Sequence, residues 1–505
     1  MWPLPPGATV GARMRVSRAW PGGQLGEHAA LSALFLLGRI LIDLAGLKLN
    51  FILDWMALAD PEDLRTHLLR TVYYAHASPP GMNLFTGWLL KLGGAHAAAL
   101  AHAVLLAAGL VLVNAVFRLL RLLEFGRGAA LAIATAFSLA PAALYFEHLY
   151  LYTVPTAALL ALSAMLFHRA VVRRSFSSWF AFFLVCAAIG WLRSTFHLVW
   201  FAGMVGLACW YARPGGWRTV LAGATAPAVL LLALYFKNLL VFGVFGATSY
   251  GPVNLTQVTV RRMPPADRAA WVREGRLSPY AAIDVFSGPE AYLPLFNSPQ
   301  NPAWPPMLNQ LERPSIHQPN FNHWFYLDVN PQRARDATTY LRTRPAEYAQ
   351  SVLFNLAAFF SPSTQWHPWD GTPRSPHAQH RQVLGRYEAV WNAIVHRLPF
   401  APVGLYALLP LPLAWAVGHV RRLGRAASPA ARARGALVAC CLVQIGYVVA
   451  ASVLLTYLEM ARYRFMVEAM LWLIVALAVR RRLRWKTSPA DPVETSPSHA
   501  PAARG

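Results

Sequence analysis

The chain has 505 residues, 56% of them hydrophobic and only 13% charged, with 45 Lys and Arg against 22 Asp and Glu for a net charge of +23. Soluble domains are about a quarter charged, so the composition argues against an ordinary soluble protein and for a polytopic membrane protein. The arginines stand in short clusters between apolar stretches, not on one face or tail. That pattern argues against a nucleic-acid partner and reads as an orientation signal.

In chain order, residues 1–27 form a polar, Arg-containing cytoplasmic lead, and the first apolar stretch reads as an uncleaved anchor. A spanning helix needs about twenty apolar residues. Candidates lie near 28–48, 95–118, 128–146, 152–170, 176–192, 195–212, 217–241, 398–419, 435–457 and 463–480. The expectation is therefore an all-α polytopic fold of about ten transmembrane helices: a core over 28–241, C-terminal spans over 398–486, and a disordered cytoplasmic tail over 487–505.

With the N-terminus inside, every cytoplasmic connection is basic. Arg13, Arg15 and Arg18 come first, then Arg118, Arg121 and Arg127, then Arg169, Arg173 and Arg174. Arg213 and Arg218 follow, then Arg421 to Arg434, then Arg480 to Lys486. Both termini are expected in the cytoplasm of a multi-pass protein of a bacterial inner membrane. Two stretches fall on the other side: a first external loop over 49–94, and a segment over 242–397 rich in Pro, Asn, Trp and Tyr. The second is too long for a plain connection and reads as a periplasmic cap with short helices. Within it, Pro345 opens an apolar run to Phe360 that reads as an interfacial helix. The four cysteines, Cys186, Cys209, Cys440 and Cys441, lie in apolar segments without metal spacing.

The first external loop carries the most chemistry. Asp54, Asp60, Glu62 and Asp63 follow the first span closely. Asp60-Pro61 reads as a helix start, with Asp60 as the N-cap and Pro61 at the first helical position. Leu64, Leu68, Leu69 and Val72 continue at helical spacing as an interfacial amphipathic helix. Pro79-Pro80 ends one element, and Met82 to Leu92 forms a second, too short to span.

An acid after the first span, short interfacial helices, and His76-Ala77-Ser78-Pro79-Pro80 before an apolar helix ending in Leu92-Gly93-Gly94 resemble the multi-spanning C-type glycosyltransferases. The resemblance is to bacterial proteins related to the protein O-mannosyltransferase and lipid A aminoarabinose transferase families. It implies a membrane enzyme that transfers a sugar from a polyprenyl-phosphate donor to a lipid, glycan or protein acceptor on the extracytoplasmic face. It also implies that an acid of this loop is the base: Asp60, with Asp54 as the alternative, since the Asp-Glu pair common in relatives is missing here. His76 is placed near substrate by the resemblance alone.

Charges near the outer membrane surface are functional candidates. Glu147, beside Tyr145, Phe146 and Tyr150, is either an interfacial acid or a second acid that positions the acceptor or a metal. A divalent metal remains an option where Asp60 and Glu147 converge, and no metal ligand is assigned. Arg193, isolated in an apolar run with His197 one turn on, fits a donor phosphate through its fork of donors. Lys237 fits one as a point charge, and Arg462 and Arg464 in the Glu459-x-x-Arg462-Tyr463-Arg464-Phe465 order are further phosphate candidates.

Arg464 and Glu468 also stand at ion-pair spacing, and Arg39 with Asp43 reads as a pair inside the first span. No Walker loop, dinucleotide fingerprint or His-Glu-x-x-His is present. Two other classes compete: a transporter or flippase of lipid-linked sugars, and a non-catalytic membrane scaffold.

Overall fold

The computed structural model describes residues 22–212, 215–361, 378–395, 408–424, 428–457 and 459–487. The first 21 residues, 362–377 of the expected cap, 398–407 of an expected span and the tail after 487 lie outside the described residues, as do Arg13, Arg15, Arg18, Arg213 and Arg425. Regular structure is almost all helical. The only strands among the described residues form one short antiparallel pair, Glu312–Arg313 with Gln318–Pro319.

The chain opens with α1 (Gly22–Leu44), then α2 (Pro61–Thr66), α3 (Leu68–Tyr74) and α4 (Pro80–Gly93) of the first external loop. Next come α5 (Ala97–Leu122), α6 (Arg127–Leu139), α7 (Pro141–Glu147), α8 (Thr153–Arg173), α9 (Phe176–Leu192), α10 (Leu198–Ala212) and α11 (Trp217–Phe242). The cap holds α12 (Gly251–Val258), α13 (Pro265–Arg273), α14 (Pro306–Asn309), α15 (Phe325–Thr343) and α16 (Pro345–Phe359). The chain closes with α17 (Ala378–Val395), α18 (Pro410–Gly424), α19 (Pro429–Leu455) and α20 (Met460–Thr487).

Among the described residues, five stretches are long and apolar enough to cross a membrane: Leu25–Leu44, Pro80–Leu122, Thr153–Arg173, Trp217–Phe242 and Pro429–Leu455. A sixth appears if α6 and α7, bent by 56° where Pro141 interrupts the helix, count as one broken span. This falls short of the ten expected. The reason is length and charge: α9 and α10 have 17 and 15 residues, below a full crossing, and the first part of the 398–419 candidate lies outside the described residues. Helix α20 carries Arg462, Arg464, Glu468, Arg480 and Arg481.

Helix α8 sits at the centre of the bundle, against α5, α9, α19 and α20. Its buried positions are largely small (Ala157, Ala158, Ala161, Ser163, Ala164, Ala170), which lets neighbouring backbones approach closely. Ser163 accepts a hydrogen bond from Gln444 of α19 at 3.0 Å. Glycine does the same between α9 and α11: a Cβ on Gly223 would stand 2.8 Å from Trp179 Cβ and 2.9 Å from Phe180 N.

The two ends of the bundle differ in charge. At one end Arg127 pairs with Glu27, Arg434 with Glu124, and Arg480 donates to the Leu123 carbonyl at 2.7 Å. Connections expected on one side therefore do gather there. The opposite end carries the first external loop and the cap.

One expectation about charge inside the bundle needs correction. Arg39 does not pair with Asp43. It forms a two-pronged salt bridge with Glu147, with Nε 2.7 Å from Oε2 and an Nη 2.8 Å from Oε1, and also donates to Ser138. Asp43 instead meets Lys48 at 2.7 Å. A side chain one turn away on the same helix cannot use the fork of a buried arginine as fully as a carboxylate facing it from another helix. Gly109 makes room for this pair, since a Cβ there would lie 2.5 Å from Glu147 Oε1.

Breaking such a pair leaves a buried charge unmatched. Glu147→Leu is expected to cost about 3–5 kcal/mol, and Arg39→Met combined with Glu147→Leu to recover most of it. Thermal unfolding of the detergent-solubilised protein checks this: a double variant no more stable than the single one would show that the pair does more than neutralise itself.

Candidate functional site

The external loop folds as local sequence dictates, with one break. Asp60 caps α2, its Oδ1 accepting from the N–H groups of Glu62 and Asp63, and Pro61 fills the first helical position. The expected single helix over 61–74 breaks at His67 (φ −121°), so Leu64 and Leu68 are buried while Leu69 faces outward. Helix α4 then starts at Pro80, with Gly81 and Gly87 set against the α9 backbone and α2–α3 respectively.

Above α4 lies a cavity of about 120 Å³. Its walls come from four parts of the chain: Trp55 to Ala57 with Ala77 to Pro79; Tyr152 at the head of α8; Arg193 to Thr195 between α9 and α10; and Glu459, Arg462 and Tyr463 at the head of α20. The cap closes it with Thr248, Tyr250, Asn254, Gln257 and Phe286. Arg193 ends α9 in an extended conformation, its N–H bonded to the Ile189 carbonyl. Its guanidinium is 3% exposed and lies 4.1 Å from the ring centre of Tyr463 and 4.7 Å from that of Tyr152. Nε donates to Thr195 Oγ1 at 3.1 Å, and Nη1 is buried with no hydrogen-bond partner.

A buried donor without an acceptor is costly. Here it borders a cavity. Glu459, whose carbonyl accepts the first hydrogen bond of α20 from Tyr463, pairs with Arg462 one turn on, and Arg462 also faces the rings of Trp55 and Tyr152. Among the described residues, Glu459 is the one carboxylate lining this cavity.

The other sequence candidates fall elsewhere. Neither Asp54 nor Asp60 lines the cavity. Asp54 is exposed, and the second oxygen of Asp60 accepts from the N–H and hydroxyl of Ser315, both at 2.9 Å. Both oxygens of Glu147 face Arg39, so Asp60 and Glu147 do not form a shared metal site. Among the described residues, no group of three or more His, Cys, Asp or Glu could hold a metal ion.

Lys237 donates to the carbonyls of Tyr73 and Ala75, tying α11 to the end of α3. Arg464 donates to the carbonyls of Phe359 and Ser361 and pairs with Glu468, joining α20 to the end of α16. His197 meets the Tyr447 hydroxyl at 3.1 Å and lines a neighbouring, more apolar cavity with Ser194 and Thr248.

Arg313, given no role on sequence grounds, organises the loop. Nη1 and Nη2 donate to the carbonyls of Leu53, Asp54, Trp55 and Leu58 at 2.7–3.2 Å, which shapes the 55–57 wall of the cavity. A lone arginine in a polar, Pro-rich stretch gives no sequence signal of this. Its four acceptors are backbone atoms some 255–260 residues away.

His76 is a clamp. Nε2 faces the Asn322 carbonyl at 3.0 Å and so carries the proton, while Nδ1 accepts from Ser249 Oγ at 2.7 Å. Burial pushes its pKa down to about 3, and burial also takes His323 of the cap down to about 4. Both values lie below the ordinary 6.5, so the unfolded chain binds protons that the fold refuses. That stability is whole above about pH 6.5 and is lost as pH falls toward these values. The apparent Tm should therefore drop between pH 7 and 5, and His76→Gln should flatten the drop by up to about 1.4 kcal/mol per pH unit. An unchanged slope in the variant would refute the clamp. Searches against family models, curated proteins and solved structures find no match to this chain.

Proposed function

We propose that the chain is a membrane transferase that moves a sugar from a polyprenyl-phosphate donor to a hydroxyl acceptor at the cap end of its bundle. One observation supports it above the others: a buried arginine with a donor left over, at the rim of a cavity that also holds a carboxylate and a second arginine. In this reading Arg193 and Arg462 hold the donor phosphate and stabilise the charge that builds on it as the bond to the sugar breaks. Glu459 accepts the proton of the acceptor hydroxyl as its oxygen attacks the anomeric carbon. The electron pair of the broken bond leaves on the lipid phosphate. Phosphate binding competes with Glu459 for Arg462, which frees the carboxylate as the acceptor arrives. Trp55, Tyr152, Tyr250 and Phe286 offer ring faces to a sugar, and Ser78, Asn254 and Gln257 offer polar partners for its hydroxyls.

The base in this proposal is Glu459, not an acid of the first loop. Asp60 has both oxygens committed to the α2 cap and Ser315. The remaining finer features belong to the same proposal: about ten crossings counting α9, α10, α18 and α20, cytoplasmic termini, and a bacterial inner membrane with the cap in the periplasm. The arginine-rich connections that meet at one end of the bundle, with the first loop and the cap at the other, favour them.

The test uses the full chain in lipid nanodiscs with a panel of labelled polyprenyl-phosphate hexoses and pentoses, reading release of free lipid phosphate. Glu459→Gln is expected to lower kcat about 10²–10⁴-fold, and Arg193→Gln about 10²–10³-fold. Asp60→Asn keeps a good N-cap and should retain most activity. Loss of activity in Asp60→Asn with an active, well-folded Glu459→Gln would return the base to the first loop. No release from any donor would defeat the transferase reading.

A further inference from the structure

The opposite end of the bundle holds a second built cavity, of about 210 Å³, between the end of α5 and helices α18, α19 and α20. Trp415, His419 and Leu423 line it at four-residue spacing along one stripe of α18. Among the described residues, three arginines enter it, Arg434, Arg480 and Arg481, and Glu124 is the one acid in its walls. Arg481 lies over the Trp415 ring at 5.8 Å, and His419 stacks on the same side chain at 4.9 Å between centroids. Arg480 is oriented by the Leu123 carbonyl and the Phe125 ring. More cations follow in the last turn of α18, at Arg421 and Arg422.

Glu124 occupies its place at a conformational cost. Its φ is +65°, in the left-handed region just past the end of α5, where glycine is the usual residue. A glutamate there sets its carboxylate on Arg434. Three forked cations against one carboxylate leave an excess of positive charge around a cleft. Guanidinium forks match phosphate oxygens. The remaining walls, Leu123, Leu423 and Leu477 with Trp415, are apolar. Leu411, Val417 and Val479 nearby expose apolar side chains, which suits lipid contact.

We propose that this cleft binds the phosphate of an anionic membrane lipid, with Arg481 and Arg434 on the headgroup and the apolar walls along its glycerol and upper acyl chains. Glu124 is an internal competitor that holds Arg434 until the lipid arrives. This site is separate from the transfer cavity and does not depend on what that cavity does. Basic pockets between helices are a general means of headgroup recognition.

The full chain in neutral detergent is titrated with phosphatidylglycerol, phosphatidylcholine and inorganic phosphate, and apparent Kd is read from the dependence of Tm on ligand concentration. Phosphatidylglycerol should stabilise, more weakly as salt rises, and the other two should not. Arg481→Gln should weaken it about five- to tenfold, while Glu124→Gln should tighten it several-fold by releasing Arg434. That gain cannot come from a misfolded variant. Arg193→Gln should leave the lipid response intact. Equal stabilisation by phosphatidylcholine or by inorganic phosphate would overturn the proposal. So would a Kd unchanged in both Arg481→Gln and Glu124→Gln, or a response abolished by Arg193→Gln.

Discussion

A guanidinium cannot be neutralised by giving up its proton inside a protein, so each buried arginine must be surrounded by acceptors or its burial is strongly unfavourable. Much of this fold can be read as the set of answers to that constraint. Arg39 is met by Glu147 and Ser138 across three helices. Arg313 is met by four carbonyls of the first loop. Arg464 is met by the C-terminal carbonyls of α16 and by Glu468, and Arg333 by the Tyr292 hydroxyl within the aromatic core of the cap. Each answer ties together segments far apart in sequence, which makes the arginines cross-links as much as charges. Arg193 has two aromatic faces and the Thr195 hydroxyl. Like Arg313, which keeps a buried Nε without a partner, it has a donor to spare, and at Arg193 that donor borders an opening.

The cap explains why that opening has the shape it does. Its own core is a cluster of rings, Tyr250, Tyr292, Phe321, Phe325 and Tyr326 among them, which gives α12 and α15 a rigid base. From that base several attachments reach the first loop, among them Arg313 to the carbonyls of 53–58, Ser315 to Asp60, and Asn322 and Ser249 to His76. The loop is thus pinned on both sides of α2–α3, and Trp55 and Ser78 are presented to the cavity from two anchored ends. Local helix rules set where α2 and α4 begin, but long-range hydrogen bonds decide where the loop sits.

This division also marks what could be read from sequence. The helical class, the Asp60 cap, the Pro80 start and the pairing spacing of Arg464 with Glu468 are local, decided within a turn or two, and they were legible. The basic connections were legible too, because like-charged clusters repeated at the same phase of the apolar pattern. The partners of Asp60, Glu147, Lys237 and His76 were not. Their chemistry is set by Ser315, Arg39, the carbonyls of Tyr73 and Ala75, and Ser249, and no spacing rule connects residues 100 or more positions apart. The same gap hid the cavity wall formed by Asn254 and Gln257.

The acids therefore divide by what they already hold. A carboxylate whose lone pairs are taken by fixed donors gains little from accepting another proton in a reaction, because each donor it serves would lose its acceptor. Asp60, facing two backbone N–H groups and Ser315, and Glu147, facing a full fork, are in that position. Glu459 is not. Its partner Arg462 stands on the same helix turn, at the wall of the cavity, beside the rings of Trp55 and Tyr152. An incoming anion can share that arginine without unfolding the α2 cap. The difference between a carboxylate that holds a fold together and one that can change partners lies in how much of the fold must move when it does.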